Sequence, residues 1–373
     1  MADIQALRFH AKTDVRVENV AAQACGNDEV RVKIAFCGIC GSDIHEYLGG
    51  PIFPPQAGHK NPYTGAELPV IMGHEMSGTI IELGSNIKQL KVGQNVAINP
   101  SMDDRHHGKE LCGICVSGRP NICKSWACYG LSAHGGGFAD EIVVKAFSCI
   151  PVPEGISLKV AALAEPLAVA SHMIRTSGFK KGHDVAVLGA GPIGLALLLL
   201  LKYRGARKII MSEVAESRSR QAEKFGADKV VNPLAKSPTG DSSNPVVVAV
   251  HNMMGDGADI VFDATGMQST LDTALEAVKP GGVVFNVAIH EKPLLINPNS
   301  FSFKEAKLTG GICYTNEDFV DVIEALASGK LPAEDMITSV VPLKEVVKGG
   351  FLELINNRAA HIKILIQPTA SKL

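Results

Sequence analysis

The first residues able to do chemistry lie in Phe36-Cys37-Gly38-Ile39-Cys40-Gly41-Ser42-Asp43-Ile44-His45-Glu46-Tyr47, with Gly73-His74-Glu75 about thirty residues further on. A CxxC pair alone reads three ways: a redox couple, a zinc half-site, or two buried thiols. The elements that carry it narrow the choice. Val30, Val32, Ile34 and Phe36 alternate with smaller or more polar residues, the period of a half-buried strand that ends in a Gly-flanked turn. Cys37 belongs to that strand and reads as packing, whereas Cys40, between Gly38 and Gly41, is free to project into a cleft.

Zinc takes sulfur, imidazole and carboxylate ligands, and a catalytic site leaves one position open. Cys40, His74 and a carboxylate from Glu75 or Glu165 make such a set. His74 by itself is as readily a hydrogen-bonded structural histidine, and it becomes a ligand candidate only through its companions. Glu165 precedes Pro166 in a helical, apolar run over residues 158–175. A carboxylate is costly to bury unpaired there, so a cation is expected beside it. A second group, Cys112-x2-Cys115-x7-Cys123, suits a closed structural zinc lobe, which needs four donors. Asp103, Asp104, His106, His107 and Glu110 lie just upstream, with Asp104 the first choice for the fourth donor. The alternative is a degenerate lobe of three free or buried thiols.

The second half carries a different chemistry. The apolar strand Asp184–Leu188 runs into Gly189-Ala190-Gly191-Pro192-Ile193-Gly194 and then a helical stretch to Tyr203. In that setting GxGxxG reads as a dinucleotide fingerprint: Gly189 for the turn, Gly191 to admit a pyrophosphate, Gly194 for close helix packing, and the helix N-terminus at Pro192 and Ile193 for the phosphates. The strand Lys208–Ser212 ends at Glu213, placed to hold a ribose 2′-hydroxyl and to repel a 2′-phosphate, which favours NAD over NADP. Arg218 could lie over the adenine or ribose. The pattern repeats through Ile260–Gly266, which includes Thr265, a helix over Ser269–Val278, a turn at Pro280-Gly281-Gly282, and a strand Val283–Ile289. Alternation of this kind predicts a parallel, doubly wound α/β sheet.

Taken together, Cys40-Gly41-Ser42-Asp43-Ile44-His45, Gly73-His74-Glu75, Glu165-Pro166 and the glycine turn resemble the zinc-containing medium-chain dehydrogenase/reductase family over nearly the whole chain. Glu46 to Phe53 and Pro69 to Glu75 are most similar to its butanediol dehydrogenase branch. The resemblance implies a GroES-like, β-rich catalytic domain over 1–157 and 309–373 and a Rossmann NAD-binding domain over 158–308, with the active site in the cleft between them. It implies oxidation of a secondary alcohol or vicinal diol to a ketone or hydroxyketone, zinc acidifying the alcohol and hydride passing to the nicotinamide. A polyol dehydrogenase of the sorbitol or xylitol type, or a pathway-specific ketoreductase, is the alternative. It further implies that Ser42 and His45 relay the proton, that Asp43 holds the second ring nitrogen of His74, that Val287 and Gly311 approach the cofactor, and that the protein is a homodimer or homotetramer. Where the family has the first cysteine of the structural lobe, this chain has Lys109. The Pro- and Gly-rich stretch from Leu48 to Gly65 lies between two proposed ligands and reads as a wall of the substrate cleft.

The 373 residues suffice for two domains, and 46% hydrophobic with 20% charged residues describe an ordinary globular composition. A net charge of −2 leaves no footprint for nucleic acid. The longest apolar run, Leu195–Leu201, is too short to span a bilayer, and residues 1–9 hold no apolar core of a secretory signal. Nine cysteines, several closely spaced, favour thiols and metal in a reducing compartment. Lys236 to Asn244 reads as a surface loop. Ser371-Lys372-Leu373 matches the tripeptide read by the peroxisomal import receptor, so peroxisomal location is expected, and otherwise cytoplasmic.

Overall fold

The computed structural model describes residues 3–235, 243–290 and 292–368, so most of the 236–244 stretch and the terminal tripeptide lie outside the described residues. The chain divides into two compact units. One takes the chain up to Ala168 and again over Cys313–Ser328 and from Ala333 onward; the other takes Val169–Ile312 with Gly329–Pro332. The first crossing thus falls inside the helix Ala164–Thr176, later than the expected break after residue 157, and the return falls after Ile312 where residue 308 was expected.

In the first unit the strands are β1 (Asp3–Ala11), β2 (Asp14–Ala21), β3 (Glu29–Gly38), β4 (Val70–Ile71), β5 (Glu75–Leu83), β6 (Asn95–Ile98), β7 (Ser101–Met102), β8 (Ala127–Cys128), β9 (Glu141–Lys145) and β10 (Cys149–Pro151). β3 pairs antiparallel with β5 from Val30 opposite Leu83 to Gly38 opposite Glu75, so the end of one strand and the start of the next are side by side. The expected turn after Cys40 is a helix, Gly41–Gly49. Cys40 is its N-cap residue, and the Asp43 carboxylate reaches back to accept the Cys40 N–H at 2.9 Å. The helix expected over residues 158–175 is two pieces, Leu158–Ala161 and Ala164–Thr176. Pro166 is the reason: in one continuous helix its ring would strike the carbonyl of Ala162 and its missing N–H would leave that carbonyl unpaired.

The second unit holds β11 (Asp184–Leu188), β12 (Lys208–Ser212), β13 (Lys229–Val231), β14 (Ala258–Asp263), β15 (Val278–Asn286) and β16 (Lys307–Gly310). They form one parallel sheet in the order β13-β12-β11-β14-β15-β16, as the strand–helix alternation predicts. Order reverses beside β11, the switch point at which such sheets bind ligands. Pro280-Gly281-Gly282, expected to be a turn, lies within β15. The ladder skips there, from Ala258 opposite Val278 to Ile260 opposite Val283, so the strand absorbs the residues as a bulge.

The chain then returns to the first unit through β17 (Ile337–Pro342) and β18 (Lys363–Gln367). β18 pairs with β3 at Leu365–Gly38 and Ile366–Cys37, completing the sheet β10-β6-β5-β3-β18-β17. Its core includes Leu7, Val32, Ile34, Phe138, Phe351, Ile364 and Ile366. The last strand therefore runs directly beside the one that delivers Cys40.

In the second unit, a Cβ on Gly194 would stand 1.9 Å from the Gly189 carbonyl oxygen, whereas one on Gly191 would meet nothing within 4 Å. Backbone cannot give way as a side-chain tip can. Gly194→Ala is expected to destabilise the protein by about 2 kcal/mol, while Gly191→Ala leaves denaturant unfolding close to the parent. Equal midpoints for the two variants would contradict this packing argument.

Candidate active site

β3, β5 and the helix Gly41–Gly49 converge on His74. Ser42 Oγ lies 3.0 Å from His74 Nε2, and Nδ1 faces Asp43 Oδ1 at 3.6 Å, both atoms buried and without a hydrogen-bond partner. Asp43 thus stands behind His74 and also ties down the Cys40 amide. Cys40 is half-buried, and His45 lies on the exposed side of the helix.

Glu75 is fully buried opposite Gly38, where a Cβ would stand 1.9 Å from Glu75 Oε2; only glycine leaves room for the carboxylate. Its Oε1 accepts from Lys363 Nζ at 2.6 Å, and the same ammonium donates to the Ile39 carbonyl at 3.0 Å. Oε2 is buried with no partner. Glu165, also buried, accepts from the Tyr314 hydroxyl at 2.6 Å.

Acids crowd this centre. Asp43, Glu75 and Glu165 are buried around His74, and Lys363 is the buried cation that faces them. Burial pushes the Glu165 carboxyl up to about 7, with the charge of Glu75 adding to it against His74 and Tyr314. Burial likewise pushes Asp43 up to about 6. Burial pulls His74 down, but Asp43, Cys40 and Glu165 outweigh it and hold the imidazole well above its ordinary value. Burial thus favours the neutral acid at Asp43 and Glu165, while neighbouring acids favour the protonated imidazole at His74.

In the second unit, Gly189 (φ +101°) turns the chain out of β11. Gly191 caps the helix Pro192–Tyr203, leaving an open space over the helix N-terminus, with Pro192 in the first turn and Ile193 half-buried. Glu213 is buried at the end of β12, where Oε2 accepts from Ala190 N and Oε1 from Val214 N and Ala215 N, each at 2.9 Å. The acid therefore braces the glycine turn. Thr265 Oγ1 donates to the Leu188 carbonyl at 3.0 Å, and Val287 N donates to Asp263 O at 2.9 Å. Arg218 is half-buried on the helix Glu216–Lys224. At Gly311 the missing Cβ makes room for Met173 Sδ, which would stand 2.7 Å away, so this glycine has a packing role of its own.

The cysteine lobe closes further. One ligand atom each from Asp104, Cys112, Cys115 and Cys123 lies within 4.8 Å of the others. Among the described residues the set Cys40, His74, Glu75 and Glu165 does not draw in to that mutual distance. Asp104 accepts from Cys112 N at 2.9 Å, and this N–H with the three thiols holds its carboxyl well below the usual range. Three of the other upstream candidates turn elsewhere: Asp103 to Arg105, His106 to Ser148, His107 to the Ser125 carbonyl. Lys109 lies over the Tyr63 ring, its Nζ 4.4 Å from the centroid.

Residues 26–154 match the alcohol dehydrogenase GroES-like domain, and residues 192–328 match the zinc-binding dehydrogenase family. Across 98% of both chains the sequence is 39% identical to an (R,R)-butanediol dehydrogenase of Saccharomyces cerevisiae. The chain belongs to the zinc-binding alcohol dehydrogenase family. It is accordingly an oxidoreductase. A crystal structure of 2R,3R-butanediol dehydrogenase from Bacillus subtilis matches with a TM-score of 0.89 at 33% identity, over 98% of this chain and 100% of that one. A probable D-xylulose reductase A of Aspergillus clavatus is 32% identical over 85% of this chain and 84% of its own.

Two residues of this dehydrogenase's centre escape sequence reading. Tyr314 lies next to Cys313, with no motif around it. Lys363 left a fainter signal, a lone charge in the apolar run Ile362-Lys363-Ile364-Leu365-Ile366. Removing one partner of a buried pair leaves the other charge unpaired, so Lys363→Met is expected to destabilise by about 3–5 kcal/mol. Adding Glu75→Leu should recover much of that loss. A double variant no more stable than Lys363→Met in denaturant unfolding would rule out the pairing as the cause.

Proposed function

We propose that this dehydrogenase uses zinc and NAD to interconvert a secondary alcohol or vicinal diol of the 2,3-butanediol kind with its ketone or hydroxyketone. The observation that carries the reading is the crowding of three buried carboxylates, Asp43, Glu75 and Glu165, at His74 beside Cys40, where Lys363 pairs with Glu75. A divalent cation would relieve it. Cys40, His74 and Glu165 are the donors that suit zinc; Glu75, held by Lys363, is the less free carboxylate. Bound there, zinc supplies a Lewis acid that lowers the pKa of an alcohol and polarises a ketone.

The chain's own groups do the rest. Asp43 behind Nδ1 keeps His74 oriented with Nε2 forward. Ser42, beside Nε2, is placed to accept the substrate hydroxyl's proton in a hydrogen bond and pass it outward to exposed His45. Glu213 favours NAD, because a 2′-phosphate would meet its buried carboxylate. Asp104, Cys112, Cys115 and Cys123 suit a second, structural zinc. The Saccharomyces and Bacillus relatives support a small diol as substrate; the Aspergillus relative keeps a polyol as the second reading.

The deciding experiment assays 2,3-butanediol, xylitol, sorbitol and simple secondary alcohols with NAD and NADP. Highest kcat/KM for the diol with NAD is expected, and a preference for NADP or for polyols would overturn that part. Cys40→Ala should lose nearly all turnover while still binding NAD, and elemental analysis should fall from two zinc per chain to one. Full activity in metal-free protein would sink the mechanism.

Location rests on Ser371-Lys372-Leu373 alone. We infer import into peroxisomes, to be tested with an N-terminal fluorescent tag that leaves the tripeptide free. Diffuse cytosolic signal in the native host would refute it.

A further inference from the structure

Glu46 belongs to the helix that Cys40 caps, yet neither the metal set nor the proton path uses it. Its carboxylate is fully buried, although it lies on a nine-residue surface helix with exposed His45 and Leu48 as neighbours. Both oxygens are spent on the backbone of the next segment: Oε2 accepts from Ile52 N and Oε1 from Phe53 N, each at 2.8 Å. The Gly50 N–H caps the same turn by donating to the Glu46 carbonyl at 2.8 Å, and a Cβ on Gly50 would stand 2.3 Å from Oε2. A buried carboxylate that accepts two amide protons is a firm anchor, because releasing either leaves charge uncompensated away from water.

What it anchors is the Pro- and Gly-rich segment 50–66, which has no strand or helix of its own. Left to itself such a segment would sample many conformations. Its far parts are tied to the cysteine lobe. Phe53 packs edge-on against Trp126 at 6.0 Å, Tyr63 faces His107 at 5.9 Å with Lys109 over its ring, and Thr64 Oγ1 donates to the Ser132 carbonyl at 2.8 Å. Lys109, which stands where the family has a cysteine, has thus become a handle for this segment. The root is held by the helix that bears Ser42 and His45, and the tip by the metal-lobe residues.

We propose that Glu46 is a positioning residue for the alcohol substrate: by gripping the Ile52 and Phe53 amides it fixes segment 50–66 relative to the Cys40 helix, and so sets the affinity for the alcohol without taking part in hydride or proton transfer. Leu48, one turn after His45 on the helix, is 45% exposed, and Ile52, whose amide Glu46 grips, is 57% exposed, so helix and segment each offer an apolar side chain suited to the methyl ends of a small diol. This rests on the proposed diol reading, and the test separates the two.

Glu46→Ala, Glu46→Gln and Tyr63→Leu are compared with the parent as zinc-loaded full-length enzymes, using 2,3-butanediol and NAD. Glu46→Ala should raise the KM for the diol about tenfold, with kcat and the KM for NAD within about twofold. Glu46→Gln should lie between, since its amide oxygen can still accept one N–H, and Tyr63→Leu should raise the same KM from the other end of the segment. Unchanged diol KM in Glu46→Ala with only a lower Tm would overturn the proposal, as would an equal rise in the KM for NAD. If Glu46→Ala fails to fold, the Glu46→Gln and Tyr63→Leu values decide. A parent inactive on every diol would refute the diol reading instead, and limited proteolysis then decides the grip. Faster cutting within 54–66 in Glu46→Gln than in the parent upholds it, and equal rates overturn it.

Discussion

An ammonium group with no access to water must be neutralised where it stands, and Lys363 meets that condition by donating to the Glu75 carboxylate and the Ile39 carbonyl at once. Those two contacts join β18, near the end of the chain, to β5 and to the turn between β3 and Cys40. Register reinforces them: Gly38 stands opposite both Glu75 and Leu365, and Ile39 N donates to the Ile364 carbonyl at 2.9 Å. The position of Cys40 therefore depends on a strand more than three hundred residues away in sequence. Lys363 pairs with Glu75, while Asp43 and Glu165 are buried close by, and that crowding of acids suits the centre to a cation.

The second unit solves a different problem with the same economy of groups. A glycine-rich turn must stay open to a phosphate and yet hold its shape. Glu213 braces it through the Ala190 amide while its other oxygen caps the start of the next helix at Val214 and Ala215. An acid in this place thus has a structural duty of its own, bracing the turn through both of its oxygens. The cysteine lobe shows a third arrangement. With lysine at position 109, Asp104 comes round to the three thiols, and the lysine joins the neighbouring segment through Tyr63.

Much of this could be read from the chain itself. Local pattern determined β3, β5, the glycine turn and the parallel sheet of the second unit, and it singled out Cys40, His74, Cys112, Cys115 and Cys123 as candidate donors, because each depends on residues a few positions apart, where side-chain period and turn chemistry act directly. Where local signals conflicted, reading faltered. The Cys40 turn became a helix through the reach of Asp43 back to the Cys40 amide, Pro166 cut one expected helix in two, and a bulge took Pro280-Gly281-Gly282 into a strand.

Only the tertiary structure decided which partner engages each carboxylate. Glu75 and Glu165 are equivalent as letters, and the difference between them is that Lys363 reaches one and Tyr314 the other. Likewise sequence left Asp103, Asp104, His106, His107 and Glu110 as candidate donors with Asp104 the first choice, and folding brings Asp104 to the thiols. Glu46, a charged residue on a short helix that sequence reading took for a turn, is buried, and two amides of the following segment donate to it. The physical reason is common to all three. The type of a side chain is local information, but whether its charge is paired depends on distant strands and loops that burial brings within hydrogen-bonding reach.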